Sequence, residues 1–389
     1  MLVVNKVWKA LQTALDDFLR IDDDLLRERQ MLRDAMAATE GLSVTGLRER
    51  LRWPDGEPGA FPTEEWQANS EIWLDGPPLG GTDASSQQWR EWAESTLAGV
   101  HTFAVDGSQI YPSTDWSIPL AAVQVGWFEN PHGDGAYIKD VGFKLISPAE
   151  LTDAADEAGM RTLVNLERHQ AEVEALVKWM REQAGAGGKR LALFDGTLVV
   201  SYASGRQERR RYVEAVRELM KTSAETRVPL VAYIDSSRAR DLAHMFATVA
   251  RQKDPRITDG TLLPDRSDWG ARTPAFICAR RQGLDNYGDM AREVCFVYLK
   301  SNRDGRPARL EFPGWMLREG RLDETVDWVR AEIVAQGNGF PYAIETADEV
   351  AVLTMRDRDR MMTLVQDFAI EHNLRLDWRA KSRSKRLRR

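Results

Sequence analysis

The chain has few cysteines and lacks several common functional motifs. Cys278 and Cys295 are its two cysteines, and they lack Cys-x-x-Cys spacing, so the sequence supports neither a zinc knuckle nor a disulfide framework. The five histidines are scattered without zinc-ligand spacing, and no Gly-x-x-x-x-Gly-Lys-[Ser/Thr] phosphate loop occurs. We therefore expect two buried thiols, and we expect any ATP-driven movement to come from another protein.

Long hydrophobic runs are also missing. No apolar stretch approaches the ~18 residues of a membrane-spanning helix, and the amino terminus lacks the apolar segment of a secretory signal. A hydrophobic share of 43% and a charged share of 29% are typical of a soluble globular protein. These features predict a cytoplasmic protein with no membrane partner.

The net charge of −7 argues against a uniformly basic surface, but it allows a local basic patch that binds phosphates. Residues 379–389 form such a patch, with no acidic residue among them. A segment so polar and like-charged is expected to be disordered alone, either as a phosphate-binding tail or as a solubilising one. A second basic group lies earlier in the chain, on a predicted helix after Asp195-Gly196-Thr197; it comprises Arg206, Arg209, Arg210 and Arg211. A helix face exposed to solvent is the alternative interpretation of this group.

The first 98 residues differ in character from the rest. Leu11, Phe18, Leu25 and Leu32 recur every seven residues, which predicts a long amphipathic helix that packs on its own domain or serves as a dimer or partner arm. Residues 53–99 are rich in Trp, Pro and Gly, which favours loops. We divide the chain into a helical and Trp/Pro-rich elaboration (1–98), a catalytic domain (99–376) and a basic tail (377–389).

Two Asp-Gly motifs carry the main chemical signal. Phe103-Ala104-Val105 precedes Asp106-Gly107-Ser108, and Leu193-Phe194 precedes Asp195-Gly196-Thr197. If both apolar runs are parallel strands, the two carboxylates lie at one sheet edge, where ligands of α/β sheets bind. Two unrelated tight turns are the alternative.

The order of predicted elements from residue 99 is βββαβαβ, with Asp106 after the first strand and Asp195 after the fourth. This order is typical of ribonuclease H-like folds, with a mixed sheet flanked by helices, in which those two strands are neighbours. An acid from the intervening helix, whose stripe includes Glu167 and Glu174 seven residues apart, can reach the same point. Carboxylate oxygens are the ligands that magnesium and manganese prefer, and two such ions can promote in-line displacement at phosphorus.

These motifs, together with the late segment Gly339-Phe340-Pro341-Tyr342-Ala343-Ile344-Glu345-Thr346-Ala347-Asp348, resemble those of the NurA nucleases over residues ~100 to ~370. The resemblance implies a ribonuclease H-like, manganese-dependent deoxyribonuclease that degrades DNA from 5′ ends and cuts single strands. It also implies a homodimer that works with the hexameric translocase HerA in DNA-end processing.

The resemblance implies catalytic and metal-binding roles for four acids: Asp106, Glu167 (with Glu174 as the alternative), Asp195 and Asp348. They would hold Mn²⁺ or Mg²⁺, as two ions. Archaeal members carry Tyr-Pro where this chain has Phe340-Pro341, and a histidine near the position of Asp348. A carboxylate can ligate manganese as an imidazole does; alternatively, Asp348 begins a helix.

Weaker candidates for DNA contacts are Lys144, Lys300, Arg206, Arg209 and Arg210. Two other functions remain open at this point. An actin-like ATPase or kinase could use the Asp-Gly turns for phosphate, although Gly185-Ala186-Gly187-Gly188 precedes a predicted strand and does not follow one. A non-catalytic scaffold subunit of a DNA translocase could use the amino-terminal helix for docking.

Overall fold

The computed structural model describes residues 2–52, 58–66, 72–77, 85–113, 117–133, 135–154, 156–203, 205–252, 254–265, 268–280, 282–302 and 305–375. The basic tail and much of the Trp/Pro-rich stretch lie outside these residues. The described chain has a mixed α/β fold that divides into two compact units. The first comprises residues 1–85 and 234–314, and the second comprises residues 86–233 and the chain from 315 onward.

The first unit contains an antiparallel set of strands with the order β1-β7-β8-β9. These strands are β1 (Gly59–Pro62), β7 (Phe276–Ala279), β8 (Val294–Leu299) and β9 (Ala308–Pro313). Its helices are α1 (Val4–Thr13), α2 (Leu15–Ala37), α3 (Val44–Arg50), α8 (Asp241–Val249) and α9 (Asp259–Leu262), with a 3₁₀ helix at Gly288–Arg292. Cys278 and Cys295 are buried free thiols, as predicted.

The second unit is built on five strands in the order β6-β5-β2-β3-β4. They are β2 (Val100–Ile110), β3 (Ala121–Asn130), β4 (Ile138–Ile146), β5 (Lys189–Asp195) and β6 (Leu230–Ile234). Strand β5 pairs in parallel with both β2 and β6, whereas β2, β3 and β4 form an antiparallel meander. The predicted βββαβαβ order is therefore confirmed, with one short helix added before the long one.

Eight helices of the second unit are described. They are α4 (Ser86–Leu97), α5 (Pro148–Thr152), α6 (Glu157–Glu182), α7 (Arg206–Thr226), α10 (Trp315–Arg318), α11 (Leu322–Gln336), α12 (Tyr342–Ala351) and α13 (Met355–Glu371). Helices α6 and α12 both pack against β2 and β3. Among the residues described, no helix has the length and apolar character needed to cross a bilayer.

Because β1 pairs with β7, residues 1–85 group with residues 234–314, and the division of the chain at residues 98 and 376 stays a prediction. Two details differ from the sequence-based expectations. The heptad-patterned helix is broken at Ala14 into α1 and α2, and α1 buries none of its residues. Strand β2 does not stop at Asp106 but continues to Ile110, because its pairing with β3 extends that far.

Gly126 allows α12 to lie close to the sheet. It is the cross-strand partner of Asp106, and a Cβ atom there would lie 2.5 Å from the backbone nitrogen of Ala351 in α12. Gln124 of the same strand donates a hydrogen bond of 3.1 Å to the Ala351 carbonyl. A side chain at position 126 would therefore push α12 away from β3.

We predict that Gly126→Ala lowers the free energy of unfolding by about 1–3 kcal/mol, the usual cost of overpacking. Gly142→Ala on the adjacent strand β4 is the matched control, because its Cβ would make an ordinary contact of 3.5 Å with Trp127. Chemical denaturation of both variants measures the difference. Equal stabilities would contradict this account of the packing of α12.

Candidate active site

Asp106 and Asp195 occupy adjacent positions on neighbouring parallel strands. The parallel pairing of β2 and β5 ends at Val105 and Phe194, and each aspartate is the next residue along its strand. Side chains at matching positions of neighbouring strands share a face and stand about 5 Å apart. The two carboxylates are close enough that Asp195 raises the pKa of Asp106. The sheet thus brings together the two aspartates of the Asp-Gly motifs, as predicted.

A third carboxyl group comes from α6, and it belongs to Glu172. A Cβ atom on Gly107 would collide with the Oε1 atom of Glu172, so any side chain at position 107 would displace this carboxyl group. Glu172 is 4% exposed, and its Oε1 atom is buried without a hydrogen-bond partner. Arg168, one turn earlier, has its Nη1 atom 3.4 Å from that oxygen and donates a hydrogen bond of 2.9 Å to the Gly107 carbonyl.

Asp348 supplies a fourth carboxyl group from α12. It lies in the second half of the helix, and not at its start as our alternative interpretation had it. The carboxyl groups of Asp348 and Asp106 are within hydrogen-bonding reach of each other. Ser108 secures the chain after α12, because its Oγ atom accepts a hydrogen bond of 3.2 Å from the Leu353 amide.

Burial and neighbouring acids raise the pKa values of Glu172 and Asp106. Burial raises the pKa of Glu172 to about 8, with further increases from Asp106 and Asp195 and an opposing effect from Arg168. Burial also raises the pKa of Asp106 to about 6, assisted by its hydrogen bond to Asp348. Both shifts follow from the cost of holding negative charge in a desolvated, acid-rich site.

Glu167 and Glu174, the helical acids named from the sequence, do not join this group. Glu167 is held by ion pairs of 2.6 Å to Lys144 and 2.8 Å to Arg211. Burial alone would raise the pKa of Glu167, but the hydrogen bonds from these two cations outweigh burial and the pKa lies below its usual value. Glu174 is exposed. In the structure, Glu172 is the acid of α6 that lies near Asp106 and Asp195.

The predicted DNA-contacting residues have varied surroundings. Lys300 is buried in the first unit and donates a hydrogen bond of 2.9 Å to the Gly305 carbonyl, a position unsuited to a phosphate contact. Lys144 is half-exposed but pairs with Glu167. Arg209 donates two hydrogen bonds to the Ala203 carbonyl, of 3.0 and 2.8 Å. Arg206 and Arg210 are exposed, and Arg210 pairs with Glu214.

The chemistry of the four acids suits a divalent cation. All four offer hard carboxylate oxygens. The buried Oε1 atom of Glu172 makes no hydrogen bond, so a cation could bind this oxygen without displacing a donor. Within the described ranges, no three His, Cys, Asp or Glu side chains are arranged closely enough to hold an ion as they stand. Mutual repulsion among carboxylates favours such separation until a positive charge balances them.

A family model for the NurA domain matches residues 100–353 of the chain. This span covers the strands and helices that carry all four acids. The chain belongs to the NurA family.

Two solved structures resemble this NurA-family chain. One is the crystal structure of the NurA nuclease from Sulfolobus solfataricus, with 13% sequence identity and a TM-score of 0.54 over 95% of this chain and 98% of that chain. Another is described as a crystal structure of NurA with manganese, with 10% identity and a TM-score of 0.47 over 90% and 98% of the two chains. No curated protein matches the sequence.

Phe340 and Tyr342 of the late motif (residues 339–348) have structural roles. Its ring packs edge-on against Tyr233, with centroids 5.0 Å apart, and the Tyr233 hydroxyl donates a hydrogen bond of 2.8 Å to the Gly339 carbonyl. Tyr342 begins α12 and packs edge-on against Phe128 at 5.6 Å. These contacts fix the turn that leads into the helix carrying Asp348.

We predict that Glu172→Gln changes the pH dependence of stability in metal-free protein. Because folding raises the pKa of Glu172 from 4.5 to about 8, the folded state holds a proton that the unfolded state releases. The wild type therefore loses stability as pH rises from about 5 to about 8, by at most about 1.4 kcal/mol per pH unit. The amide cannot ionise, so the variant should gain stability relative to the wild type across this window.

Thermal melts at a series of pH values measure this difference. Glu174→Gln, an exposed substitution two residues along the same helix, is the control and should track the wild type at every pH. A Glu172→Gln stability difference that stays constant from pH 5 to pH 9 would contradict the assignment of Glu172 as a buried, protonated acid.

Proposed function

We propose that this chain is a metal-dependent deoxyribonuclease that hydrolyses phosphodiester bonds at the Asp106, Glu172, Asp195 and Asp348 site. The observation that carries the proposal is the clustering of carboxyl groups from α6, β5 and α12 around Asp106 of β2. One of them, Glu172, is buried, with an Oε1 atom that makes no hydrogen bond and lies 3.4 Å from the Nη1 atom of Arg168. Membership of the NurA family supports the same reaction. We also propose that the sheet of the second unit is of the ribonuclease H-like type, since β2 lies beside β5 as that arrangement requires.

The residues of the site would surround bound cations from different elements of the fold. Asp106 and Asp195 would face bound manganese or magnesium from the sheet, whereas Glu172 and Asp348 would approach it from the two helices. Two divalent cations, when bound, would lower the pKa of the attacking water and stabilise the leaving oxygen. Arg168 positions Glu172 through their ion pair and fixes the backbone of Gly107.

Protonation links cation binding to pH. Glu172 and Asp106 have raised pKa values, to about 8 and about 6, so each must lose its proton before its carboxylate can hold a cation. Release of these protons makes cation binding tighter as pH rises through that range. We therefore propose a nuclease that is more active at mildly alkaline pH than at pH 6.

The finer properties rest on the family resemblance. We propose 5′→3′ exonuclease and single-strand endonuclease activity, in the cytoplasm, in DNA-end processing, repair or defence. We further propose a homodimer that acts with a HerA-type hexameric translocase. The amino-terminal helices support a docking role, because α1 buries none of its residues. Its apolar side chains are exposed; examples are Val4, Val7, Trp8 and Leu11.

We predict that purified protein degrades end-labelled DNA with Mn²⁺ and that Asp195→Asn and Glu172→Gln each lower the rate at least ~100-fold. Loss of a ligand removes several kcal/mol of transition-state stabilisation. Glu167→Gln tests the competing assignment and should retain most of the activity, because Glu167 is engaged by Lys144 and Arg211. Glu174→Gln is the surface control.

A time course of product formation by each variant supplies the rates. Intact DNA after incubation with folded wild-type protein and Mn²⁺ would overturn the proposal in favour of a scaffold subunit. Inactivation by Glu167→Gln with retention of activity in Glu172→Gln would move the site to the other acid of α6.

A further inference from the structure

A polar stripe on α6 leads away from the carboxylate site. Arg161, Asn165, Arg168 and Glu172 recur at intervals of four, three and four residues, so they share one face of the helix. Each contacts β2 or the residue that follows it. Glu172 and Arg168 meet Gly107, whereas Asn165 and Arg161 meet Tyr111. The stripe therefore follows the strand that carries Asp106.

Tyr111 is held in a fixed orientation at the far end of this stripe. Its hydroxyl donates a hydrogen bond of 2.5 Å to Asn165 and accepts one of 3.0 Å from Gln109. The Arg161 guanidinium lies over the Tyr111 ring, 4.0 Å from its centroid. Stacking occupies the flat face of a guanidinium and leaves its N–H groups free to point outward in a fork that suits a phosphate.

A second arginine also lies near Tyr111. Arg358 of α13 lines a small depression together with Tyr111, Ile110 and Ser113. In the part of the chain that the structure describes, no ion pair joins Arg161 or Arg358 to an acidic side chain. Several other arginines of the second unit are engaged, for example Arg181 by Glu218 and Arg210 by Glu214.

The distance between the carboxylate site and Tyr111 suits a single DNA strand that contacts both. Arg161 precedes Glu172 by eleven residues of helix, a rise of about 16 Å. Tyr111 follows Asp106 by five residues of nearly continuous strand, again about 16 Å. A stacked strand rises about 3.4 Å per nucleotide, so this length corresponds to no more than about five nucleotides.

We propose that Arg161 and Arg358, arranged around Tyr111, form a phosphate-binding subsite for a single DNA strand whose scissile bond lies at the carboxylate site. The inference rests on the proposed nuclease function and adds to it a place where the substrate backbone is held. The subsite binds the sugar–phosphate backbone and does not select a base sequence.

The direct test is the salt dependence of binding. The probe is a fluorescein-labelled oligodeoxythymidylate of eight nucleotides, with Ca²⁺ replacing Mn²⁺, and anisotropy gives Kd across a series of NaCl concentrations. For single strands, each lost phosphate contact lowers the slope of log Kd against log salt by about 0.7. We expect that change for Arg161→Gln and for Arg358→Gln, and about twice that change for the double variant.

Arg181→Gln is the matched control, since Arg181 is an exposed arginine of the same helix, twenty residues from Arg161. Its slope should equal that of the wild type. Slopes unchanged in both single variants and in the double variant would overturn the subsite.

A small substrate separates this inference from the function on which it rests. Bis(p-nitrophenyl) phosphate is too short to reach Tyr111, so its Mn²⁺-dependent hydrolysis should be unchanged in Arg161→Gln and Arg358→Gln. Equal loss of this hydrolysis and of oligonucleotide binding would overturn the subsite, because the arginines would then act at the carboxylate site. Arginine-dependent slopes without hydrolysis of either probe by the wild type would support the subsite and refute the nuclease proposal.

Discussion

The close contact between Glu172 and the backbone at Gly107 is the constraint on which the rest of the site depends. It buries a carboxyl group of α6 directly over the strand that carries Asp106. Gly126 plays the equivalent part for α12, on the strand paired with Asp106. Two glycines, one next to Asp106 in sequence and one across from it, thus admit the helices that bring Glu172 and Asp348 to the sheet aspartates. The cost is a buried Glu172 that keeps its proton at neutral pH because burial raises its pKa to about 8, a cost that a bound cation would offset.

Much of the second unit could be predicted from the sequence, because its signals are local. Continuous apolar runs identified β5 and β6, and a helical stripe identified α6. The repeated Asp-Gly motif then predicted that Asp106 and Asp195 meet, since neighbouring parallel strands align the residues at which their pairing ends. The structure places Asp348 within hydrogen-bonding reach of Asp106, but in the second half of α12 and not at a helix start.

Glu172 was missed as the acid of α6 near Asp106 because the helical stripe was drawn through Glu167 and Glu174. Glu172 follows Glu167 by five residues, which turns it about 140° around the helix axis. Leu176 and Trp179, four and seven residues after Glu172, are buried and mark the inward face. An acid among such positions is the signal that could have identified Glu172. The close approach of α12 to Gly126 is a tertiary contact. The division into two units depends on the pairing of β1 with β7, which are far apart in sequence. Neither feature produces a local pattern in the sequence.

Anomalous scattering at the manganese edge from crystals grown with Mn²⁺ tests the central claim most directly. The account predicts manganese peaks within coordination distance of carboxylate oxygens of Asp106, Asp195 and Glu172, with Asp348 beside them. Peaks at Glu167, or oxygens of Asp106 and Glu172 that point into separate regions with no manganese between them, would contradict it.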